Sequence, residues 1–194
     1  APVFAQTFED TPRNGTLTER LSEDHDLTLA ELRAHLTAAP PKEQRALCDL
    51  LREAHDMQAA GPLRALLDSS HARVRERAIQ ALRGLDDTKA LPELRRLLTG
   101  ATPGAETRAC IAALADLGDA TDIPRIRPHL DAPRESTRLT AACALAALGA
   151  PDARTVLEAG LRSTLPMARR LAIAGLGRYD DGNAEKTLAE LASN

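Results

Sequence analysis

The sequence predicts an all-α protein built as a solenoid of about five stacked helix pairs with a closing helix, and three observations carry that reading. Of 194 residues, 43% are hydrophobic; Ala supplies 37 and Leu 31, while Val and Ile together supply 8, so helix formers dominate and strand formers are scarce. Apolar residues recur in register. Leu51, Leu82, Leu114, Leu145 and Leu176 form one column at intervals of 31 or 32 residues; Leu32, Leu63, Leu94, Ile126, Leu157 and Leu188 form a second; Leu36, Leu67, Leu98, Leu130 and Leu161 form a third. Several columns sharing one period of this length are the signature of stacked repeats. Four residues before the first column stand Leu47, Ala78, Cys110, Ala141 and Ala172, mostly small, where two helices can approach closely.

Each unit resolves into two amphipathic helices, because its apolar positions follow i, i+3, i+4, i+7 spacing. The first pair is expected at about 28–55. In the second, about 59–85, one helix carries Ala60, Leu63, Leu66 and Leu67 and the other Val74, Ala78, Ala81, Leu82 and Leu85, with Asp68-Ser69-Ser70 supplying turn and cap chemistry between them. Later pairs are expected at about 89–117, 121–148 and 152–179, closed by Gly118-Asp119, Gly149-Ala150-Pro151 and Asp180-Asp181-Gly182 as Asp86-Asp87 closes the second. A lone helix from about 183, with Glu185, Lys186 and Glu190 on its outer side, is expected to cap the stack. One pair cannot bury its apolar stripe alone, so neighbours must stack.

Two regions follow: an acidic tail or linker, residues 1–27, and the repeat solenoid, residues 28–194. The tail holds six acidic against two basic residues, −4, so with −3 overall the solenoid is nearly neutral at +1. Both phenylalanines, Phe4 and Phe8, sit in this tail at i, i+4 spacing, which predicts an anchor on an apolar surface; a linker to an upstream anchor is the competing expectation. The chain begins Ala1-Pro2-Val3 rather than with Met, which predicts a processed chain or a piece of a longer one. No run approaches the ~18 apolar residues of a membrane span, so no membrane contact is expected from these residues. Cys48, Cys110 and Cys143 are too few and scattered for a disulfide framework and fit a reducing, cytoplasmic compartment, although the missing Met leaves a periplasmic or anchored one open. Arg outnumbers Lys 22 to 3, the bias of a GC-rich bacterial genome, and Asn14-Gly15-Thr16 is then a chance sequon.

Composition also excludes functions. Two Phe, one Tyr and no Trp leave no stacking platform for single-stranded nucleic acid, and a net charge of −3 gives no reason to expect wholesale phosphate binding. The five histidines fall in five segments with no metal-binding i, i+4 pair. Glu23-Asp24-His25-Asp26 reads as a solvated acidic stretch. There is no phosphate loop, dinucleotide fingerprint or nucleophile elbow, so neither catalytic residues nor a metal nor a cofactor is expected.

The segments Val74-Arg75-Glu76-Arg77-Ala78-Ile79-Gln80-Ala81-Leu82 and Ala141-Ala142-Cys143-Ala144-Leu145-Ala146-Ala147-Leu148-Gly149 resemble the second helix of HEAT repeats, in the short bacterial form called phycobilisome-lyase-type HEAT-like repeats. The resemblance covers about residues 28–194 and implies a right-handed superhelix of the ARM type. It implies little about function, since the scaffold is reused widely. Relatives attach or chaperone bilin chromophores on phycobiliprotein cysteines, which makes a bilin lyase or chaperone-like subunit the alternative to a non-catalytic protein-interaction scaffold. Some HEAT-like alkylpurine DNA glycosylases bind duplex DNA, a more remote alternative. The family opens its second helix with Arg; here that column reads Gln44, Arg75, Thr107, Arg138, Arg169, and the arginines are expected to bridge loop carbonyls or Asp68 and Asp131.

Two surfaces are candidates for a protein partner. The face of the second helices left over by the core is charged in the first two units and turns smooth and apolar from the third, at Ala112, Ala115, Leu139, Cys143, Ala146, Leu171 and Ala174, where small residues would admit a partner helix. On the first helices Arg33, Arg64, Arg95 and Arg127 form a column that could act as a basic stripe for an acidic partner or a phosphate backbone, or could be arginine stems lying over the core edge near Glu31 and Glu93.

Overall fold

A computed structural model describes residues 28–100 and 104–179. They form five helix pairs: α1 (Leu29–Leu36) with α2 (Pro41–Glu53), α3 (Ala60–Ala65) with α4 (Ala72–Gly84), α5 (Leu91–Gly100) with α6 (Ala105–Leu117), α7 (Ile123–Ile126) with α8 (Glu135–Ala147), and α9 (Arg154–Gly160) with α10 (Pro166–Leu176). There is no strand among the described residues, and no helix there is long and apolar enough to cross a membrane. Each second helix packs on the second helices before and after it, making one continuous layer, while the first helices cover its back. The tail, with Phe4 and Phe8, and the expected closing helix lie outside the described residues.

The columns are the core. Leu32, Leu63, Leu94, Ile126 and Leu157 are at most 2% exposed, and Leu51, Leu82, Leu114, Leu145 and Leu176, like the small-residue column before them, are fully buried. The first helices are shorter than the pattern suggests. α3 passes into a 3-10 turn at Leu66–Asp68 and α7 into one at Arg127–Asp131, where Pro128 has no N–H to continue an α-helix. Between Asp68-Ser69-Ser70 and α4 the cap is weaker than expected: His71 is the N-cap residue and makes no side-chain cap bond, and Ser69 accepts from the His71 N–H instead. The turn after the second helix uses the left-handed region at His55, Asp86 and Gly149, and only glycine adopts it without cost.

Polar side chains lock the units together. Arg33 meets Asp56 at 2.6 Å, Arg64 meets Asp87 at 2.8 Å, Arg95 grips Asp122 with two bonds of 2.8 and 2.9 Å, and Arg127 meets Asp152 at 2.6 Å, each pair reaching from a first helix to the start of the next unit. This column, expected either as a basic stripe or as arginine stems over the core edge near acidic residues, is thus a ladder of ion pairs. In the fourth unit the carboxylate has moved: Asp119, in the column of Asp56 and Asp87, caps Thr121, and Asp122 takes Arg95 from a position held by Ala59, Ala90 and Ala153 elsewhere. All four residues of that position are completely buried, so Asp122 is a core carboxylate whose hydration is replaced by a guanidinium.

The opening column of the second helix performs a second task. Gln44 donates to Thr37 O, Arg75 to Ser69 O, Arg138 to Ala132 O and Arg169 to Ser163 O, each tying down its own inter-helix loop, whereas Thr107 accepts from the Gly104 N–H. Asp68 is not an acceptor for these arginines; it pairs with Arg96.

Arg95→Ala leaves the buried Asp122 carboxylate with only a 3.6 Å contact from Arg125 and the Asp119 N–H at 3.4 Å, at an expected cost approaching the ~3–5 kcal/mol of a broken buried pair. Asp122→Ala restores the alanine of the other units and should cost clearly less, and the double variant should be more stable than Arg95→Ala alone. Urea unfolding followed by circular dichroism decides; equal losses in Arg95→Ala and the double variant would refute the buried-charge account.

Candidate functional site

The exposed surface of the second-helix layer changes character along the stack. Between α2, α4 and α6 it is a polar hollow bounded by Arg52, Gln80, Arg83 and Asp116. It runs into a groove across α6, α8 and α10, whose floor is Ala112, Ala115, Cys143, Ala144, Leu171 and Ala174. Arg83, Asp116 and Arg178 stand at the rim, with Arg83 and Asp116 joined at 2.5 Å. The groove holds about 200 Å³, below the roughly 300–1,000 Å³ of small-molecule pockets. It is suited to side chains from a helical ridge rather than to an enclosed ligand.

Helix geometry makes this floor. Residues 112 and 115 on α6, 143 on α8, and 171 and 174 on α10 occupy the strip turned away from the first helices, with Ala115, Cys143 and Leu171 partly buried against the core, and an alanine there leaves backbone close to the surface. Cys143 fixes the α8–α10 spacing: its Sγ donates to Leu171 O at 2.9 Å, and a Cβ added at Gly175 would sit 2.9 Å from that sulfur. Glycine at 175 therefore permits the approach that gives the groove its depth.

Five of the seven residues expected on the apolar face, Ala112, Ala115, Cys143, Leu171 and Ala174, surround this groove, and Ala174 is exposed. Leu139 and Ala146 do not. They are 1% and 5% exposed, Leu139 being folded against Gly160 of α9, where a Cβ would stand only 2.5 Å from its Cδ2. Sequence reasoning missed Asp116, Thr140, Ala144, Ala147 and Arg178, which also line the groove. Residues 140 and 147 lie three or four positions from Cys143 and Ala144, so helical spacing could have found them.

Arg33, Arg64, Arg95 and Arg127 lie away from this groove, each on its aspartate. Burial pushes the thiols of Cys48 and Cys110 up to about 12 and that of Cys143 up to about 11, so all three are protonated at neutral pH. Burial lowers the pKa of His129, which stands half-buried, as does His35, which meets Glu43 at 3.3 Å. No group of three or more His, Cys, Asp or Glu among the described residues could hold a metal ion.

Comparison with known proteins bears on this geometry at two levels. Residues 29–115 match the family model for HEAT repeats, and residues 137–163 match that for the PBS lyase HEAT-like repeat. One chain in the structure of the complex of CpcE and CpcF of phycocyanin lyase from Nostoc sp. PCC7120 is similar, with a TM-score of 0.69 and 26% identity over 83% of this chain and 68% of that one. Two engineered proteins share the fold, at TM-scores of 0.54 and 0.53 and identities of 21% and 18%, each covering 85% of this chain and 85% and 50% of its own. No curated protein sequence matches.

Because Cys143 sits in the groove floor with its thiol pushed up to about 11, its alkylation by iodoacetamide should rise about tenfold per pH unit from pH 7 upward and level off only near pH 11. Peptide mapping by mass spectrometry measures this. A rate that bends over near pH 9, as for an ordinary solvated thiol, would show that the thiol is not held in this buried position.

Proposed function

This chain belongs to the HEAT-repeat family, and we propose that it is a non-catalytic scaffold whose groove across α6, α8 and α10 receives an α-helix of a partner protein. The observation that carries the reading is the floor itself: alanines from three second helices, with Cys143 of α8 at the centre, form an apolar trough with charges of both signs at its rim. Small residues let a helix approach closely, and the rim gives it direction and register. The likeness to a chain that assembles with a second protein supports a protein as the partner.

A second reading is favoured by a specific observation. The match to the phycobilisome-lyase-type repeat falls on residues 137–163, which include most of α8 and all of α9, and the likeness to a phycocyanin lyase chain covers most of the molecule. A lyase or chaperone-like subunit acting on phycobiliproteins would use the same groove to hold a helix of its protein substrate. Mixing the chain with an apo-phycobiliprotein and free bilin, and following absorbance for accelerated covalent attachment, tests that activity directly.

For the scaffold reading, immobilised wild-type, Ala174→Arg and Lys89→Ala chains are exposed to a native extract of the source cells and the retained proteins quantified by mass spectrometry. Ala174 and Lys89 are both exposed, so neither substitution should alter the fold. A protein held by the wild type and by Lys89→Ala, and reduced at least tenfold on Ala174→Arg, is the expected result. Equal retention by all three would end the groove reading.

A further inference from the structure

We propose that the outward face of α10 docks α2 of a second copy of this chain, so that copies stack head to tail in the register that stacks the repeats within one chain. The observation is a core position left open. Cys48, Ile79, Ile111 and Ala142 occupy one column of the second helices and are completely buried, each under the second helix that follows; Ile173, next in that column, is 42% exposed. Leu165 and Met167 at the start of α10 are exposed as well, at 57% and 64%.

The charges on this face say what fits it. Arg75 is the template: its Nη1 donates to Ser69 O of its own loop, while Nε and Nη2 grip Glu106 of the next second helix at 2.6 and 2.8 Å. Arg169 stands in the Arg75 column and repeats the first contact, Nη1 to Ser163 O at 2.8 Å, but makes no ion pair among the described residues. The carboxylate that would complete it belongs to the Glu106 column, which reads Glu43, Val74, Glu106, Thr137, Ala168. At the far end of the stack, on α2, that column holds Glu43, whose side chain is 22% exposed and meets His35 of α1 at 3.3 Å, a contact that leaves its second oxygen to take a guanidinium.

The neighbouring positions agree. Within the stack, the residues facing the preceding second helix come from the columns of Leu171, whose carbonyl accepts from Cys143, and of Gly175, whose Cβ position adjoins that sulfur. On α2 those columns hold Ala46 and Leu50, both half-buried apolar residues that would come to lie against the face of α10 carrying Ile173 and Ala174. With Arg169 and apolar residues at one end and Glu43 and apolar residues at the other, the two faces match through the stack's own register. The contact is heterologous and does not close on itself, so it builds linear assemblies. It rests on the end faces; Ala174 borders both the end face and the groove, whereas Arg169 and Ile173 do not line the groove, so variants at those two separate this proposal from the groove reading.

Sedimentation of the 194-residue chain over a range of concentrations tests it. The expected result is a weight-average mass that rises above 20.7 kDa and continues past two chains, less steeply at high salt. Arg169→Glu should abolish association and Arg169→Glu with Glu43→Arg should restore it. Because Arg169 also holds its own loop, Ile173→Asp, at an already exposed position, serves as the second variant and should likewise leave a folded monomer, with its melting temperature as the check. Monomer at every concentration, a plateau at two chains, or a folded double charge swap that associates no better than Arg169→Glu would each overturn the proposal.

Discussion

A helix pair of this composition cannot bury its own apolar stripe, so the structure depends on how closely successive second helices approach one another. That approach runs through small residues. Ala78, Cys110, Ala141 and Ala172 are completely buried beside a leucine column, and Gly160 and Gly175 stand where an added Cβ would press on Leu139, or on Leu157 and Cys143. Spacing set by alanine and glycine leaves no room for rings, which accounts for the near absence of aromatics better than any functional exclusion does. It also sets the repeat length, because a unit must be long enough to present two helices and short enough to return the chain to the same small-residue column.

Apolar stacking is tolerant of sliding; the polar contacts are less so. Ladder pairs between a first helix and the start of the next unit hold the carboxylates of Asp56, Asp87 and Asp122 in buried positions that only a guanidinium at the right height can neutralise. Arg75, Arg138 and Arg169 fix the loop inside each unit by the same i−6 carbonyl contact. The two sets divide the work between unit-to-unit register and loop conformation. A shift of one unit against its neighbour would break several such contacts at once and leave charges stranded.

Much of this was legible in the sequence because columns average over five units. The Leu columns place the helix pairs within two or three residues of where they lie, as the pair expected at 28–55 and found from Leu29 to Glu53 shows. What was not legible depends on one unit at a time. Leu139 shares a column with Arg45, Glu76 and Arg108, whose long stems carry charge to water; a leucine there turns inward over Gly160 instead. Ala146 follows Arg52, Arg83 and Ala115 in its column and is buried nonetheless. Ladder partners lie 23 to 27 residues from their arginines, a separation that drifts from unit to unit with the turn chemistry and so leaves no clean period.

The same column logic connects the interior to the surface. Where a column is buried in every unit it stabilises, and a change in it is felt as a packing defect; where its exposure changes along the stack, as from Ala142 to Ile173, the change marks a place where a neighbouring helix is called for. The groove and the end face of α10 are both of this kind, the first arising because charged residues give way to alanine beyond the second unit, the second because a column buried in four units meets no following second helix among the described residues. In a protein stabilised by nearest-neighbour contacts, an outside helix that satisfies either face is held by the forces that already hold the repeats to one another. Under these two proposals, recognition by such a chain would need no separate machinery: its specificity would be the register of its own stacking, read by whatever helix presents the complementary column.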